Sequence, residues 1–488
     1  RKIIFTDHSD IFFTGTEKIA KLPTGIGAFD NILHGGFPEK RTTLIKGEAG
    51  TGKTLIGLQF LYHAAVNGDA VLFLSFEESA AAVRQNALTV GMDITALEKT
   101  GHFFVWQAAL DHTLVKNGDF SIDALLAIIH GKARQMQARI IMIDALDVLL
   151  RVFNTPEQRE HQLCRLNIWL RDQEFTCILT TKVFPPPKQH LGFDIADYMA
   201  DCVVFLDLRL RHQVATRRIR VVKYRGSGFI PNEHPYVLTN QGLRVLPITS
   251  IELAHHPTGP HISSGISGMD AALGGGYRHG AAIVISGDSG IGKTTFAATF
   301  AATCCNGGQR VLFVSFEEAS HAIIDSMTSP GIDLQTPATA GKLQFHIALP
   351  EALGPEEHLF ILLQKMDLFK PDHLVIDSIS ACRRMGSETA YFNLLVRLIY
   401  TCKQQKITCL MTDQTMVESS DAATATASIS SICDTIIALN FIDTGRHIDR
   451  EMTVIKSRGT HHSRMHEKFQ ISDDGILVLS NTAAKEDE

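Results

Sequence analysis

Residues 47–54 read Gly47-Glu48-Ala49-Gly50-Thr51-Gly52-Lys53-Thr54, and this stretch decides the fold. Two glycines five positions apart are followed by a lysine and a threonine, which is the pattern of a phosphate-binding loop. Its backbone N–H groups surround a phosphate, the next helix turns its N-terminus to the negative charge, the lysine meets the outer phosphates, and the hydroxyl binds Mg²⁺. We expect the phosphates of a nucleotide to be bound by Gly47, Gly50, Thr51, Gly52, Lys53 and Thr54, and Mg²⁺ by Thr54.

A second loop, Gly287-Asp288-Ser289-Gly290-Ile291-Gly292-Lys293-Thr294, lies 240 residues after the first. The pair Glu317-Glu318 follows Glu77-Glu78 at the same offset. Asp377 lies 233 residues after Asp144. The same offset relates Lys223-Tyr224-Arg225-Gly226 to Lys456-Ser457-Arg458-Gly459. Two constant offsets with one net shortening indicate a tandem duplication. The second copy predicts a further nucleotide site at Gly287, Gly290, Ile291, Gly292, Lys293, Thr294 and Thr295, with Thr294 on Mg²⁺.

Apolar strands alternate with helical stretches in each half. Residues 42–46 read as a strand before the loop, 52–66 as a helix, and 70–75 as a strand that is apolar on both faces, as in a parallel sheet covered on both sides. We predict an α/β fold with a mostly parallel central sheet and antiparallel C-terminal strands, near 202–209 and 217–224 in the first half. The predicted domains are 15–247 and 263–482, joined by a linker at 248–262 that contains Pro257, Gly259 and Pro260.

Composition narrows the class of protein. The 488 residues are 45% hydrophobic, enough for two cores, and the formal net charge of −6 argues against nucleic acid as the main partner. There is no apolar run long enough to span a bilayer, so we expect no membrane partner. The nine cysteines lack metal-ligand spacing. They indicate buried free thiols in a reducing compartment, and hence a cytoplasmic location.

Carboxylates follow the strands on the loop side of the predicted sheet. Asp144 and Asp377 close apolar strands, where a Mg²⁺ ligand is expected, although a helix N-cap would use the same residue type. Glu77, Glu78, Glu317 and Glu318 are candidate catalytic residues, because phosphoryl transfer needs a group that orients or deprotonates the attacking oxygen. Glu317 is also a candidate metal ligand. The alternative for both pairs is a solvated acidic turn.

A basic stretch, 217–225, mixes arginine and lysine with apolar residues, and the second half keeps Arg450, Lys456 and Arg458. Two interpretations stay open from the residues alone. The cations form a solvated edge that discourages strand aggregation, or they reach the phosphate of a neighbouring subunit. A hydroxyl-rich run at 419–431 is equally open, as a loop or as a phosphoacceptor segment.

Together these motifs resemble the KaiC family. The resemblance covers residues 15–480 and rests on two phosphate loops, each followed by Ser-Phe-Glu-Glu, and on Lys-x-Arg-Gly near each domain end. It implies tandem RecA-like domains in a homohexameric double ring with ATP and Mg²⁺ at subunit interfaces. The first domain would be an ATPase. The second would be a serine/threonine autokinase and autophosphatase acting in clock, stress or other signalling.

The resemblance also implies roles residue by residue. Glu77 and Glu317 would be general bases, supported by Glu78 and Glu318. Thr89 and Ser329 match nucleotide-contact positions. Lys223, Arg225, Lys456 and Arg458 would reach ATP from the neighbouring subunit. The segment 429–437 is similar to the family's phosphosite segment, which places the acceptors at Ser430 and Ser431.

Three departures modify these expectations. The acceptor pair is Ser-Ser where the family type has Ser-Thr, and Pro330 stands where the family has an aromatic residue near the adenine. Little sequence follows 471–475, so the long tail that binds KaiA in the family has no counterpart, and we expect no KaiA partner. A KaiB-like protein on the first ring stays open as a partner.

Two competing functions are kept. One is a nucleotide-switched assembly scaffold whose ATPase is incidental. The other is a RecA-like DNA-dependent ATPase, against which the acidic balance and the lack of a basic, aromatic-rich loop both argue.

Overall fold

The computed structural model describes residues 19–108, 122–153, 155–183, 195–211, 214–246, 259–414, 431–445 and 447–479. The chain divides into two compact units, and the division lies between Leu246 and Gly259. Each unit contains one nine-stranded sheet and one small two-stranded sheet.

The first unit has eleven strands among its described residues: β1 (Lys21–Leu22), β2 (Phe37–Pro38), β3 (Thr42–Gly47), β4 (Val71–Ser75), β5 (Phe103–Gln107), β6 (Ile140–Asp144), β7 (Thr176–Lys182), β8 (Cys202–Arg211), β9 (Val214–Tyr224), β10 (His234–Thr239) and β11 (Gly242–Val245). Its described helices are α1 (Gly27–Ile32), α2 (Lys53–Val66), α3 (Ala80–Thr89), α4 (Ile94–Lys99), α5 (Ile122–Met136), α6 (Leu146–Leu150), α7 (Pro156–Asp172) and α8 (Ile195–Met199).

The second unit repeats this order: β12 (His261–Ile262), β13 (Tyr277–Arg278), β14 (Ala282–Gly287), β15 (Val311–Ser315), β16 (Leu343–Ile347), β17 (His373–Asp377), β18 (Thr408–Gln414), β19 (Thr435–Asp443), β20 (Ile448–Ser457), β21 (Glu467–Ser472) and β22 (Gly475–Leu479). Its described helices are α9 (Ser267–Ala272), α10 (Lys293–Asn306), α11 (Ser320–Thr328), α12 (Gln335–Thr339), α13 (Pro355–Phe369) and α14 (Glu388–Gln404), with 3-10 turns at Pro350–Ala352 and Ile379–Met385.

The large sheet of the first unit has the order β11-β10-β9-β8-β3-β7-β6-β4-β5, and that of the second has β16-β15-β17-β18-β14-β19-β20-β21-β22. The predicted mostly parallel α/β fold is confirmed, with β9–β11 and β20–β22 as its antiparallel ends. β8, the strand predicted near 202–209, joins the two parts of the sheet, because it pairs with β3 in parallel and lies next to β9. The connection from Lys182 to Cys202 is long enough for the crossover that a parallel pair requires.

The strands are buried on both faces, which explains their uninterrupted apolar sequences. In β4, Val71 and Phe73 belong to one apolar cluster, and Leu72 and Leu74 to the cluster on the opposite face. In the second unit Phe313 and Leu312 of β15 divide in the same way. Because side chains alternate along a strand, each sheet carries two cores and exposes its functional groups only at strand ends.

Two expectations from composition can be compared with the structure. Within the described residues, none of the helices combines the length and apolar character that crossing a membrane requires. The cysteines are free thiols, and eight are buried as predicted, but Cys164 on α7 is exposed.

His373 is a polar exception within the second core. It starts β17, is fully buried, and packs edge-on to Phe300 with 5.3 Å between ring centroids. Neither ring nitrogen has a hydrogen-bond partner. Burial lowers the pKa of His373 to about 4. At the 233-residue offset the first unit has Ile140 in its place.

We predict that His373 makes the second unit acid-sensitive. The folded-state pKa is below the unfolded value, so its stability contribution is complete above about pH 6.5 and falls as pH drops toward 4. Between pH 7 and 5 the free energy of unfolding should fall by about 2 kcal/mol because of this residue. In His373→Ile this fall should be smaller by the same amount, as measured by denaturant unfolding followed by circular dichroism.

The chain supplies its own control for this measurement. Both tryptophans, Trp106 and Trp169, belong to the first unit, so their fluorescence transition should not respond to His373→Ile. The exposed-site variant His461→Gln should leave both transitions unchanged. An equal pH dependence in wild type and His373→Ile would contradict the prediction.

Candidate functional site

The two phosphate loops begin where β3 and β14 end, at the carboxyl edge of each sheet. Lys53 Nζ donates to the carbonyls of Gly47 at 2.9 Å and Glu48 at 2.7 Å. Lys293 Nζ makes the matching bonds, at 2.8 Å to Gly287 and 2.7 Å to Asp288. Burial lowers the pKa of both lysines. Each ammonium group is therefore held inside the curve of its loop, where the outer phosphates of a nucleotide would lie.

Glycine is required where each loop turns into its helix. Gly52 has a φ of +87° and Gly292 of +115°, in the left-handed region that favours glycine, and each caps the helix that follows. The fifth loop position differs between units. Thr51 Oγ1 donates to the Glu48 carbonyl at 2.8 Å, whereas Ile291 packs in the apolar core. The backbone of both loops is thus prepared for phosphate, although their side-chain supports differ.

Asp144 and Asp377 are each held by two threonines. Thr54 Oγ1 donates to Asp144 at 3.0 Å, and Thr294 Oγ1 donates to Asp377 at 2.7 Å. The second carboxylate oxygen accepts from Thr180 in the first unit and from Thr412 in the second. Burial raises the pKa of both aspartates. The peptide bond that follows each aspartate is cis.

These residues fit a Mg²⁺ site. Magnesium is commonly held by one or two protein oxygens together with substrate phosphates, and a loop threonine beside a strand-end aspartate supplies such oxygens. Across the described residues, no cluster of three histidine, cysteine or acidic side chains offers an all-protein metal site. Thr180 and Thr412 escaped the sequence reasoning, although both stand in an apolar-Thr pattern at a constant offset of 232.

The glutamate pairs lie on matched turns after β4 and β15. Ser75 Oγ accepts from the Glu78 amide at 3.0 Å, and Ser315 Oγ accepts from Glu318 at the same distance. The turns are also tied to the aspartate strands, because Phe76 N donates to the Asp144 carbonyl at 2.7 Å. The buried serine in each Ser-Phe-Glu-Glu motif therefore fixes the glutamates beside the site.

Burial of Glu318 raises its pKa, and the negative charges of Asp377 and Glu317 add to this shift.

The first glutamate of each pair has a different partner in each unit. Glu77 Oε1 accepts from Lys182 Nζ at 2.5 Å. Glu317 instead accepts from Ser378 Oγ at 3.2 Å and lies 3.9 Å from Arg384 Nη1. Lys182, Ser378 and Arg384 were not found from the sequence, because each lies in a segment distant from the glutamates, and Lys182 and Ser378 also differ between the halves. The two sites are therefore built alike but charged differently.

The basic residues of the first unit bind backbone carbonyls of α8. Lys223 Nζ donates to Asp197 at 2.6 Å and to Tyr198 at 3.1 Å. Arg225 Nη2 donates to Tyr198 at 2.8 Å. These bonds hold the cations against the segment that enters β8, at the edge of the unit.

In the second unit three cations bind three consecutive carbonyls before β19. Arg458 Nη2 donates to Ser431 at 2.6 Å, Lys403 Nζ to Ile432 at 3.1 Å, and Lys456 Nζ to Cys433 at 2.8 Å. Lys403 also forms a buried ion pair with Asp434 at 2.9 Å. We call Lys403, Lys456 and Arg458 the carbonyl clamp. It holds the segment that contains the predicted acceptor Ser431, which is exposed.

The remaining predicted residues lie apart from these contacts. Thr89 is exposed at the end of α3 and donates to the Asn86 carbonyl at 2.7 Å. Ser329 is exposed directly after α11, and the neighbouring Pro330 is buried. Arg450 lies over the Phe441 ring, 6.0 Å from its centroid. Ser430 lies outside the described residues.

The fold and the site define the class of protein: two RecA-like α/β units in tandem, each with a phosphate loop, a threonine-held aspartate and a glutamate turn. A family model described as ATPase: KaiC matches residues 22–250 and 262–483. The chain belongs to the KaiC family, and this membership makes it an ATPase-type enzyme.

Curated relatives agree with the family model. The chain is 35% identical over 469 residues to "Circadian clock protein KaiC2" of Synechocystis sp. (strain ATCC 27184 / PCC 6803 / Kazusa), covering 94% of this chain and 82% of the relative. It is 31% identical over 462 residues to "Circadian clock oscillator protein KaiC" of Parathermosynechococcus lividus, covering 94% and 85%. The protein of the same name from Picosynechococcus sp. (strain ATCC 27264 / PCC 7002 / PR-6) is 30% identical over 464 residues, covering 94% and 90%.

We predict that Thr180→Val raises the Mg²⁺ concentration needed for half-maximal ATP hydrolysis by about tenfold, since second partners of metal ligands typically matter on that scale. Valine keeps the shape of threonine but leaves one oxygen of Asp144 without its donor. The measurement is a Mg²⁺ titration of phosphate release. Thr180→Ser should retain the wild-type requirement, and an unchanged requirement in Thr180→Val would show that the bond does not support metal binding.

Proposed function

We propose that this chain is an ATP-hydrolysing, homohexameric KaiC-like protein with serine autokinase and autophosphatase activity in its second unit. We place its role in cytoplasmic signalling of the clock or stress-response kind. The observation that carries the kinase assignment is the carbonyl clamp. Arg458, which the resemblance assigns to a neighbour's ATP, donates to the backbone of the predicted acceptor Ser431.

In the first unit, Lys53 and the loop amides would bind the phosphates of ATP. Thr54 and Asp144 would hold Mg²⁺, which supplies charge neutralisation between the phosphates. Glu77 would accept a proton from the attacking water, with Glu78 in support. Glu78 is itself held by Asn86 Nδ2 at 2.8 Å, so it is less free to move than an unpaired surface carboxylate.

In the second unit the attacking oxygen would be a serine hydroxyl. Glu317 would take the proton of Ser430 or Ser431, and Thr294 with Asp377 would hold Mg²⁺, with Glu317 as a further candidate ligand. Glu318, whose pKa is raised, would support Glu317. Ser431 lies on the segment that the carbonyl clamp fixes, and this favours transfer to a definite backbone position.

The proposed homohexamer is supported by the positions of four basic residues. Lys223, Arg225, Lys456 and Arg458 lie beside the segments that enter β8 and β19, and we infer that they contact ATP bound to the next subunit. Thr89, Ser329 and Arg450 are further candidate contacts of ATP. The proposed domains are 15–247 and 263–482 with the linker 248–262. A KaiB-like protein is a proposed partner of the first ring.

The test is phosphate transfer from labelled ATP, with intact-mass measurement and phosphosite mapping. Wild type should gain phosphate in the second unit, and Ser430→Ala combined with Ser431→Ala should abolish the label. The two phosphate loops provide matched variants. Lys293→Ala should abolish labelling, whereas Lys53→Ala should lower hydrolysis more than labelling.

Other outcomes separate the competing functions. Undiminished labelling in the double serine variant would overturn the site assignment. Full biological function in Glu77→Gln with Glu317→Gln, with hexamers retained, would favour the scaffold. ATPase stimulation by single-stranded DNA with salt-sensitive binding would favour the DNA-dependent ATPase.

A further inference from the structure

Lys182 Nζ lies 2.5 Å from Oε1 of Glu77, the predicted catalytic base of the first unit. The Lys182 side chain is 32% exposed and that of Glu77 is 36% exposed, so the pair is partly open to solvent. Lys182 ends β7, the strand that lies between β3 and β6, and it is in register with Gly47 of the phosphate loop. The ammonium group therefore reaches Glu77 from the strand beside the loop.

The neighbourhood of Lys182 is the phosphate end of the site. The charges of Lys182, Glu77 and Asp144 all act on Lys53, whose position inside the loop marks where the outer phosphates bind. The Lys182 amide donates to Asp147 Oδ1 at 3.2 Å, which fixes the backbone from which the side chain projects. A second lysine is thus anchored within electrostatic range of the loop lysine.

Among the described residues of the second unit, no lysine pairs with Glu317, and its cationic neighbour is Arg384 at 3.9 Å. The residue in register with Gly287 is Gln414, which is neutral and exposed. At the position of Asp147 the second unit has Ser380, whose hydroxyl accepts from the Gln414 amide at 3.4 Å. Both charged residues of the first unit are therefore replaced by neutral ones, and Glu317 depends on Ser378 and Arg384 instead.

We propose that Lys182 is a positioning residue that exchanges Glu77 for the γ-phosphate of ATP, so that the base of the first unit is released only when a γ-phosphate is present. The inference rests on the proposed role of Glu77 as general base. A lysine in this place has two anions within reach, a carboxylate with one negative charge and a terminal phosphate with a larger one. The phosphate is the stronger partner for a point charge.

The exchange has a chemical consequence. While Lys182 holds Glu77, Oε1 of the carboxylate is engaged by the ammonium group and is not available to the attacking water. Once Lys182 turns to the γ-phosphate, Glu77 can accept the proton of water as the water oxygen bonds to phosphorus and the bond to the ADP oxygen breaks. Glu317 has no lysine at this position, so the serine-directed site lacks this control.

The test compares the affinity of the first site for ADP and for a non-hydrolysable ATP analogue. Full-length protein carrying Lys293→Ala silences the second loop. Lys182→Gln, which copies Gln414, should weaken analogue binding by about five- to tenfold and change ADP binding less than twofold, because ADP lacks the γ-phosphate. Lys182→Arg should restore the preference for the analogue. Equal loss for both nucleotides, or no loss, would overturn the proposal.

Two further variants make the result specific. Gln414→Lys, measured at the second site in a Lys53→Ala background, should raise analogue affinity relative to ADP. Glu77→Gln removes the competing carboxylate, so analogue binding should be retained or tightened while hydrolysis falls. Weakened analogue binding in Glu77→Gln would contradict the exchange.

The same variants separate this inference from the proposed function. If hydrolysis persists in Glu77→Gln, the base assignment fails, and the exchange fails with it. If hydrolysis is lost in Glu77→Gln but Lys182→Gln keeps the wild-type preference between nucleotides, only the exchange fails. Unchanged circular dichroism and thermal unfolding of Lys182→Gln exclude misfolding as the cause.

Discussion

The buried aspartate held by two hydroxyls is the interaction on which each site depends. Asp144 ties together the helix that follows the phosphate loop, through Thr54, and β7, through Thr180. Its backbone carbonyl also receives the amide of Phe76, which places the glutamate turn. A buried carboxylate without donors would be costly, so the three segments are held in one arrangement by the need to satisfy it. The second unit repeats the bonds with Asp377.

Much of this could be predicted from the sequence because it is local or repeated. The loops, the strand-end aspartates and the glutamate pairs are each encoded within a few residues, and the constant offsets show that they recur together. Lys182 and Ser378 were missed. They lie far from the glutamates in sequence, and the duplication does not preserve them.

The two units differ at positions that the duplication does not preserve. Residues that shape the backbone and hold the aspartate are kept in both halves, whereas those that contact the first glutamate are not. Glu77 has an ammonium partner and Glu317 a hydroxyl and a distant guanidinium. One scaffold therefore supports two electrostatic settings for the same carboxylate, and this is the physical basis on which hydrolysis and transfer to serine can be assigned to different units.

The carbonyl clamp holds the acceptor segment through its backbone. Lys403, Lys456 and Arg458 each bind a different carbonyl within Ser431–Cys433, and Lys403 is itself fixed by the buried Asp434. Carbonyls are present whatever side chain the residue has, so the three clamp bonds do not depend on a hydroxyl at residue 431. A substitution there would change the acceptor group and leave the bonds that position its backbone in place.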